Sequence, residues 1–146
     1  MTEPALLELL PPPGRLTLGL ACGEGRLARD LRDLGHDVLA VERSPELVRA
    51  ARKADKQMGV LRADVTRMPM GSEIADLAVC GDLDGLDAAL GEIARVLRPG
   101  GRLCAAMSEP PRLGELSRAL EAAGFVIEAL RDEPPGRLVV RARRDA

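Results

Sequence analysis

Aromatic side chains are almost missing from this chain: its 146 residues include one Phe, no Tyr and no Trp. Single-stranded nucleic acid is usually held on aromatic faces, so the shortage argues against a base-stacking platform. The core must instead be built from Leu, Val and Ala, with Phe125, in the apolar run GFVIEAL, expected inside it. Histidine occurs once, at position 36, in a turn Gly35-His36-Asp37 that reads as surface, at the end of the sheet away from any site. Cysteine occurs three times, at Cys22, Cys80 and Cys104, with no CxxC pair. That pattern lacks metal-ligand spacing and points to buried thiols in a reducing compartment. No apolar run approaches the ~20 residues needed to span a bilayer. Residues 1–10 contain Glu3, Pro4 and Glu8 without a basic stretch, so no signal peptide is expected and the location is read as cytoplasmic. Charge is close to balanced, at −2, which gives no general attraction to nucleic acid or anionic lipid.

What is present is an ordinary globular composition, 46% apolar and 30% charged, sized for a single domain over 1–146. Residues 4–10 form a short helical turn halted by Pro11, Pro12 and Pro13. A strand follows from Arg15 to Leu20. Leu27, Leu31 and Leu34, spaced by four and three, predict a helix over 24–34 that Gly35 ends. Val38 to Val41 read as a buried strand. Ser44-Pro45-Glu46 is a helix start, with Ser44 as N-cap and Pro45 in the first helical position. Further strands are expected at 59–63, 76–80 and 102–107, and further helices at 86–97 and 112–123. Arg98-Pro99-Gly100-Gly101 reads as a stop and turn between helix and strand. Two last strands, 125–131 and 137–143, are joined through Glu133-Pro134-Pro135-Gly136 as an antiparallel hairpin. The whole predicts an α/β fold: one doubly wound, Rossmann-like sheet of seven strands, mostly parallel, with an antiparallel C-terminal hairpin strand.

Chemistry concentrates in 18–25, LGLACGEG, where an apolar strand runs into a glycine turn that opens a helix. Seventeen residues after Gly25, a second apolar run ends on the carboxylate of Glu42. In a parallel α/β sheet this builds a nucleoside pocket, with a helix N-terminus facing the ligand and an acid to grip ribose hydroxyls.

From about residue 15 to 143 the chain resembles the class I S-adenosylmethionine-dependent methyltransferases. LACGEGRLARDLRDLGHDVLAVERSPELVRAAR is similar to that family's first two motifs, ADVTRMPM at 63–70 to its third, and IARVLRPGGRL at 93–103 to the motif leading into its fifth strand. The resemblance implies S-adenosyl-L-methionine as cofactor and methyl transfer to an unidentified acceptor, small molecule or macromolecule. It implies that Gly23 and Gly25 let the backbone approach the methionine end, beside Ala21, while Cys22 presents its amide. Glu42 would take both ribose hydroxyls, Asp64 the adenine amino group, Val65 the ring face, and Cys80 the neighbourhood of the sulfonium. Methyl transfer is an in-line displacement that depends mainly on alignment, and no residue here stands out as a general base.

The chain departs from that pattern in four places. Gly19 stands where the family usually has an acid, and Ala21 where it usually has glycine. GDLDGLDA, after the fourth strand, is short, and MSEPPRLGEL passes to the next helix without an inserted cap, so the pocket should be shallow and open to a protein partner. Two other readings follow. One is a methyltransferase fold kept as a weakly active or inactive binding module. The other is a nicotinamide-dependent oxidoreductase, since Gly23, Gly25 and Ala28 match G-x-G-x-x-A. Asp82, Asp84 and Asp87 read as loop acids and a helix start, with a divalent metal or a substrate amine as the rival reading. Arg137, Arg141, Arg143 and Arg144 read as decoration of an edge strand.

Overall fold

Strand-forming and helix-forming stretches alternate along nearly the whole chain. The computed structural model describes residues 2–83, 86–133 and 136–145. The elements are α1 (Pro4–Glu8), β1 (Thr17–Leu20), α2 (Arg26–Asp33), β2 (Val38–Glu42), α3 (Pro45–Ala54), β3 (Gly59–Arg62), β4 (Ala75–Cys80), α4 (Leu86–Val96), β5 (Leu97–Met107), α5 (Leu113–Ala122), β6 (Phe125–Glu133) and β7 (Arg137–Arg144). They build a seven-stranded sheet in the order β3-β2-β1-β4-β5-β7-β6. All pairings from β3 to β5 are parallel, and β7 runs antiparallel to both of its neighbours.

The period-2 alternation of strand side chains divides the core between the two sheet faces. On β5, Leu103, Ala105 and Met107 meet Leu90 and Ile93 of α4 and Leu116 and Leu120 of α5. Cys104 and Ala106 point the other way, into the cluster of Leu6, Leu27, Ala28 and Leu31 from α1 and α2. Phe125, 2% exposed, lies in the α4–α5 core as expected. Ser44 caps α3, its Oγ accepting from the Leu47 N–H at 3.3 Å, with Pro45 first in the helix. No helix among the described residues is long and apolar enough to cross a membrane.

Four local expectations are corrected. Leu34 follows the last residue of α2 and is 51% exposed, because the chain leaves the helix into Gly35 at φ +95° before Leu34 can reach the sheet. Arg98–Gly101 does not separate α4 from β5. The pairing jumps from Ala75↔Leu97 to Leu77↔Arg102, so these residues bulge out of the strand itself. Gly101 is required there, since a Cβ would stand 2.8 Å from the Arg98 carbonyl oxygen. His36 is no surface residue but 5% exposed, its Nδ1 3.0 Å from Thr17 Oγ1. The turn after α2 folds back over the start of β1, where the hydroxyl gives the buried ring a partner. Burial lowers its pKa below the ordinary histidine value.

The C-terminal arginines do not lie on an edge strand. β7 is apolar on both faces, with Leu138, Val139, Val140 and Ala142 buried, and takes the inner position, whereas β6 carries exposed residues such as Val126 and forms the edge. The arginines are ion-paired: Arg137 with Glu3, Arg141 and Arg143 with Glu128, and Arg144 with Glu73. Strand order reverses between β1 and β4, and that reversal opens a crevice at their C-terminal ends.

Candidate functional site

At the end of β1 the chain turns through left-handed conformations at Ala21 (φ +50°), Gly23 (+56°) and Gly25 (+92°) before entering α2. Glycine adopts these angles freely, whereas alanine is strained by about 1–2 kcal/mol. The turn is tied by Gly25 N–H to the Cys22 carbonyl at 2.9 Å and by Cys22 N–H to the Val41 carbonyl at 3.3 Å. The Cys22 amide is therefore already committed to β2. Its side chain folds back over β1, placing Sγ 2.6 Å from where a Cβ on Gly19 would stand. Burial, then the nearby Cys80, pushes the Cys22 thiol up to about 12. Burial does the same to Cys104, so both are protonated at neutral pH and poor nucleophiles.

Glu42 ends β2 and is 8% exposed. Its Oε1 accepts from the Gly23 N–H at 2.9 Å and its Oε2 from the Ser44 N–H at 2.7 Å. One carboxylate thus joins the glycine turn to the start of α3. A carboxylate offers about four acceptor directions, so each oxygen keeps one for a ligand.

Asp64 opens the loop after β3. Its Oδ1 accepts from the Thr66 N–H at 2.9 Å and from Thr66 Oγ1 at 2.8 Å, and Oδ2 lies 3.7 Å from Arg43. The Thr66 N–H, above all, holds this carboxyl below its usual range. Two residues of α4, not singled out from the sequence, fasten the same loop. Glu92 accepts from the Met68 N–H at 2.5 Å, and Arg95 donates to the carbonyls of Met68 and Met70 and to Ser72 Oγ. Their i,i+3 spacing on one helix was the only available signal.

Ala21, Glu42, Asp64, Val65 and Cys80 come together around one cleft of about 320 Å³, joined by Arg43, Ala63, Thr66 and Leu83. Acceptor oxygens at Glu42 and Asp64 and apolar walls at Val65 and Leu83 suit a vicinal diol and a flat ring. Cys22 lines a second cleft of about 290 Å³, which shares Ala21 with the first and adds Arg26, Asp82 and Arg137. Gly23 and Gly25 line neither cleft: one N–H serves Glu42 and the other closes the turn. Asp82 accepts from the N–H and Oγ of Ser108. Asp84 and the side chain of Asp87 lie outside the described residues, as do Pro134 and Pro135.

A sequence profile described as a methyltransferase domain matches residues 18–105. The chain is 33% identical over 119 residues to a malonyl-[acyl-carrier protein] O-methyltransferase of Pectobacterium atrosepticum, covering 78% of this chain and 47% of that protein. Identity to the enzyme of the same name from Salmonella typhimurium is 36% over 128 residues, covering 81% and 49%. The chain thus spans about half the length of these relatives. Among solved structures, an S-adenosylmethionine-dependent methyltransferase from Mesorhizobium loti superposes with a TM-score of 0.85 at 21% identity, covering 97% of this chain and 96% of the other. A Haloferax volcanii methyltransferase in complex with a methyltransferase activator gives 0.83 at 19% identity, covering 97% and 87%. At these identities the two structures speak to the fold alone.

Proposed function

Since the chain belongs to the class I S-adenosylmethionine-dependent methyltransferase family, we propose that the crevice between β1 and β4 binds S-adenosylmethionine and delivers its methyl group to an acceptor. The observation that carries this reading is the gathering of Ala21, Glu42, Asp64, Val65 and Cys80 around one cleft beside a glycine turn. The donor set fits the cofactor. Glu42, held by two backbone N–H groups, has two acceptor directions left for the ribose hydroxyls. Asp64 Oδ2, 3.7 Å from Arg43, has an acceptor direction left for the adenine amino group, while Val65 and Leu83 enclose the ring.

When bound, the cofactor supplies an electrophilic methyl group on a sulfonium. The residues of this chain hold and orient: Glu42 fixes the ribose, the Glu92–Arg95 pair fixes the loop against the base, and Cys80 lines the cleft as a small buried residue. Alignment of this kind accounts for most of what an in-line displacement requires. In this reading residues 1–146 act as one domain, in the cytoplasm, in keeping with three buried cysteines. The acceptor enters from an open side that a protein partner would complete. Malonyl-[acyl-carrier protein], which the names of the two relatives give, is the first acceptor to assay. Family membership displaces the nicotinamide reading.

Calorimetric titration with S-adenosylhomocysteine tests the reading: a dissociation constant below millimolar is expected, and no heat at millimolar ligand would overturn it. The second reading, a module that binds cofactor with little or no turnover, is favoured by the strained Ala21 and the missing acid at Gly19. Methylation of an acceptor by the isolated chain at ordinary rates would remove it.

A further inference from the structure

A third cleft, of about 200 Å³, lies at the pole of the sheet opposite the crevice, where β4 and β5 begin. The bulge in β5 builds it. Leu97 lies opposite Ala75 and Arg102 opposite Leu77, so residues 97–102 are folded into the length of two strand steps, about 7 Å. In a regular strand Arg98 and Arg102 would stand about 13 Å apart. Here both line one opening, with Pro11 and Pro12 as an apolar wall. Arg102 is engaged by Glu128 and by the Gly100 carbonyl. Arg98 has no hydrogen bond or ion pair among the described residues, and its Nε is shut off from solvent. Nε is too enclosed to meet a ligand itself. Its enclosure packs the side chain, so the rest of the guanidinium has less rotamer freedom to lose on meeting an anion. Asp76 also lines the cleft, but its Oδ2 already accepts from the N–H groups of Arg15 and Leu16 at 2.6 and 3.0 Å. Glu128 is shared by Arg102, Arg141 and Arg143. With Arg98, four guanidiniums thus face two carboxylates, in a chain whose net charge is −2.

We propose that this cleft binds a small organic phosphate, Arg98 holding the phosphate oxygens and Arg102 adding positive charge, with the organic part against Pro11 and Pro12. A phosphate monoester carries close to two negative charges at neutral pH, which matches the surplus of two positive charges at this pole. Guanidinium groups suit it because their planar fork meets two phosphate oxygens at once. The site is separate from the cofactor crevice and does not depend on methyl transfer.

Phenyl phosphate and inorganic phosphate are the probes, titrated into the full chain by calorimetry. Phenyl phosphate should bind more tightly than inorganic phosphate, and Arg98→Gln should weaken both by about tenfold or more, since a charged hydrogen bond is lost. The same variant should leave S-adenosylhomocysteine binding as it is in wild type. Arg118→Gln, on the exposed face of α5, serves as the control and should change neither phosphate. No binding of phenyl phosphate to wild type at millimolar ligand overturns the inference, as does equal affinity for the two probes. Equal weakening by the Arg98 and Arg118 variants also overturns it, because that result means attraction to the surface as a whole. Amide shifts of wild-type protein locate the site without any variant: the largest, on adding phenyl phosphate, should fall on Gly100 and Arg102. Largest shifts elsewhere would refute the placement.

Discussion

The thiol of Cys22 occupies the space that a side chain at Gly19 would need, 2.6 Å from the position of its Cβ. The two residues are therefore a matched pair, and restoring an acid at position 19 alone is no clean test of lost function. Gly19→Asp is expected to overpack the turn, at a cost of about 1–3 kcal/mol and several degrees of Tm. Adding Cys22→Gly should recover most of that loss and tighten S-adenosylhomocysteine binding relative to wild type. Calorimetry and melting on the single and double variants check this. Equal Tm values for wild type and Gly19→Asp would refute the packing argument.

Ala21 holds φ +50° without the freedom of glycine. Ala21→Gly should relieve about 1–2 kcal/mol of strain, against about 0.4–1 kcal/mol from a more flexible unfolded chain. The net expectation is a gain of up to about 1.5 kcal/mol in urea unfolding. Gly25→Ala should destabilise, because φ is +92° and the new Cβ would sit 3.2 Å from Arg29. A loss on Ala21→Gly would contradict the strain.

Glu42 binds two backbone N–H groups at once. Glu42→Gln retains one accepting oxygen and turns an NH2 donor toward the other N–H. Stability should fall by about 1–3 kcal/mol and ligand binding should weaken at least tenfold. Unchanged melting with lost binding would mean that Glu42 serves the ligand and not the turn.

His36 is buried and its pKa is lowered by that burial. The unfolded chain therefore binds the proton more readily than the folded one below about pH 6.5. Its contribution to stability is complete above that value and lost as pH falls below it, at no more than about 1.4 kcal/mol per pH unit for one proton. Chemical unfolding between pH 7.5 and 5 should show this slope in wild type and a flatter one in His36→Gln. Parallel profiles would refute the burial argument.

Arg95 reaches the ligand cleft only through the loop it fastens. Arg95→Ala should release the carbonyls of Met68 and Met70, increase hydrogen exchange across 64–74, and weaken S-adenosylhomocysteine severalfold. A faster-exchanging loop with unchanged affinity would free this segment from any binding role.

Most of the architecture was legible from short windows of sequence. Leu27 and Leu31 marked one helix and Ser44-Pro45 began another. The strand-then-glycine run at 18–25 located the crevice, because helix and strand periods and turn residues act over a few neighbours. Within the site, Ala21, Glu42, Asp64, Val65 and Cys80 were legible as a group because each ends or follows a strand of the same sheet. Arg95 and Arg137 were not, since their partners lie far away along the chain.

The sequence by itself determined the order of elements, the α/β class and the family, all of which rest on local periodicity and motif spacing. Only the tertiary structure decided that β7 lies inside β6, that His36 is buried against Thr17, that Glu42 is shared by two backbone donors, and that Cys22 covers Gly19. Each of these depends on which distant segments close over a residue. Burial, hydrogen-bond partnership and steric exclusion are properties of that closure, not of the neighbouring letters.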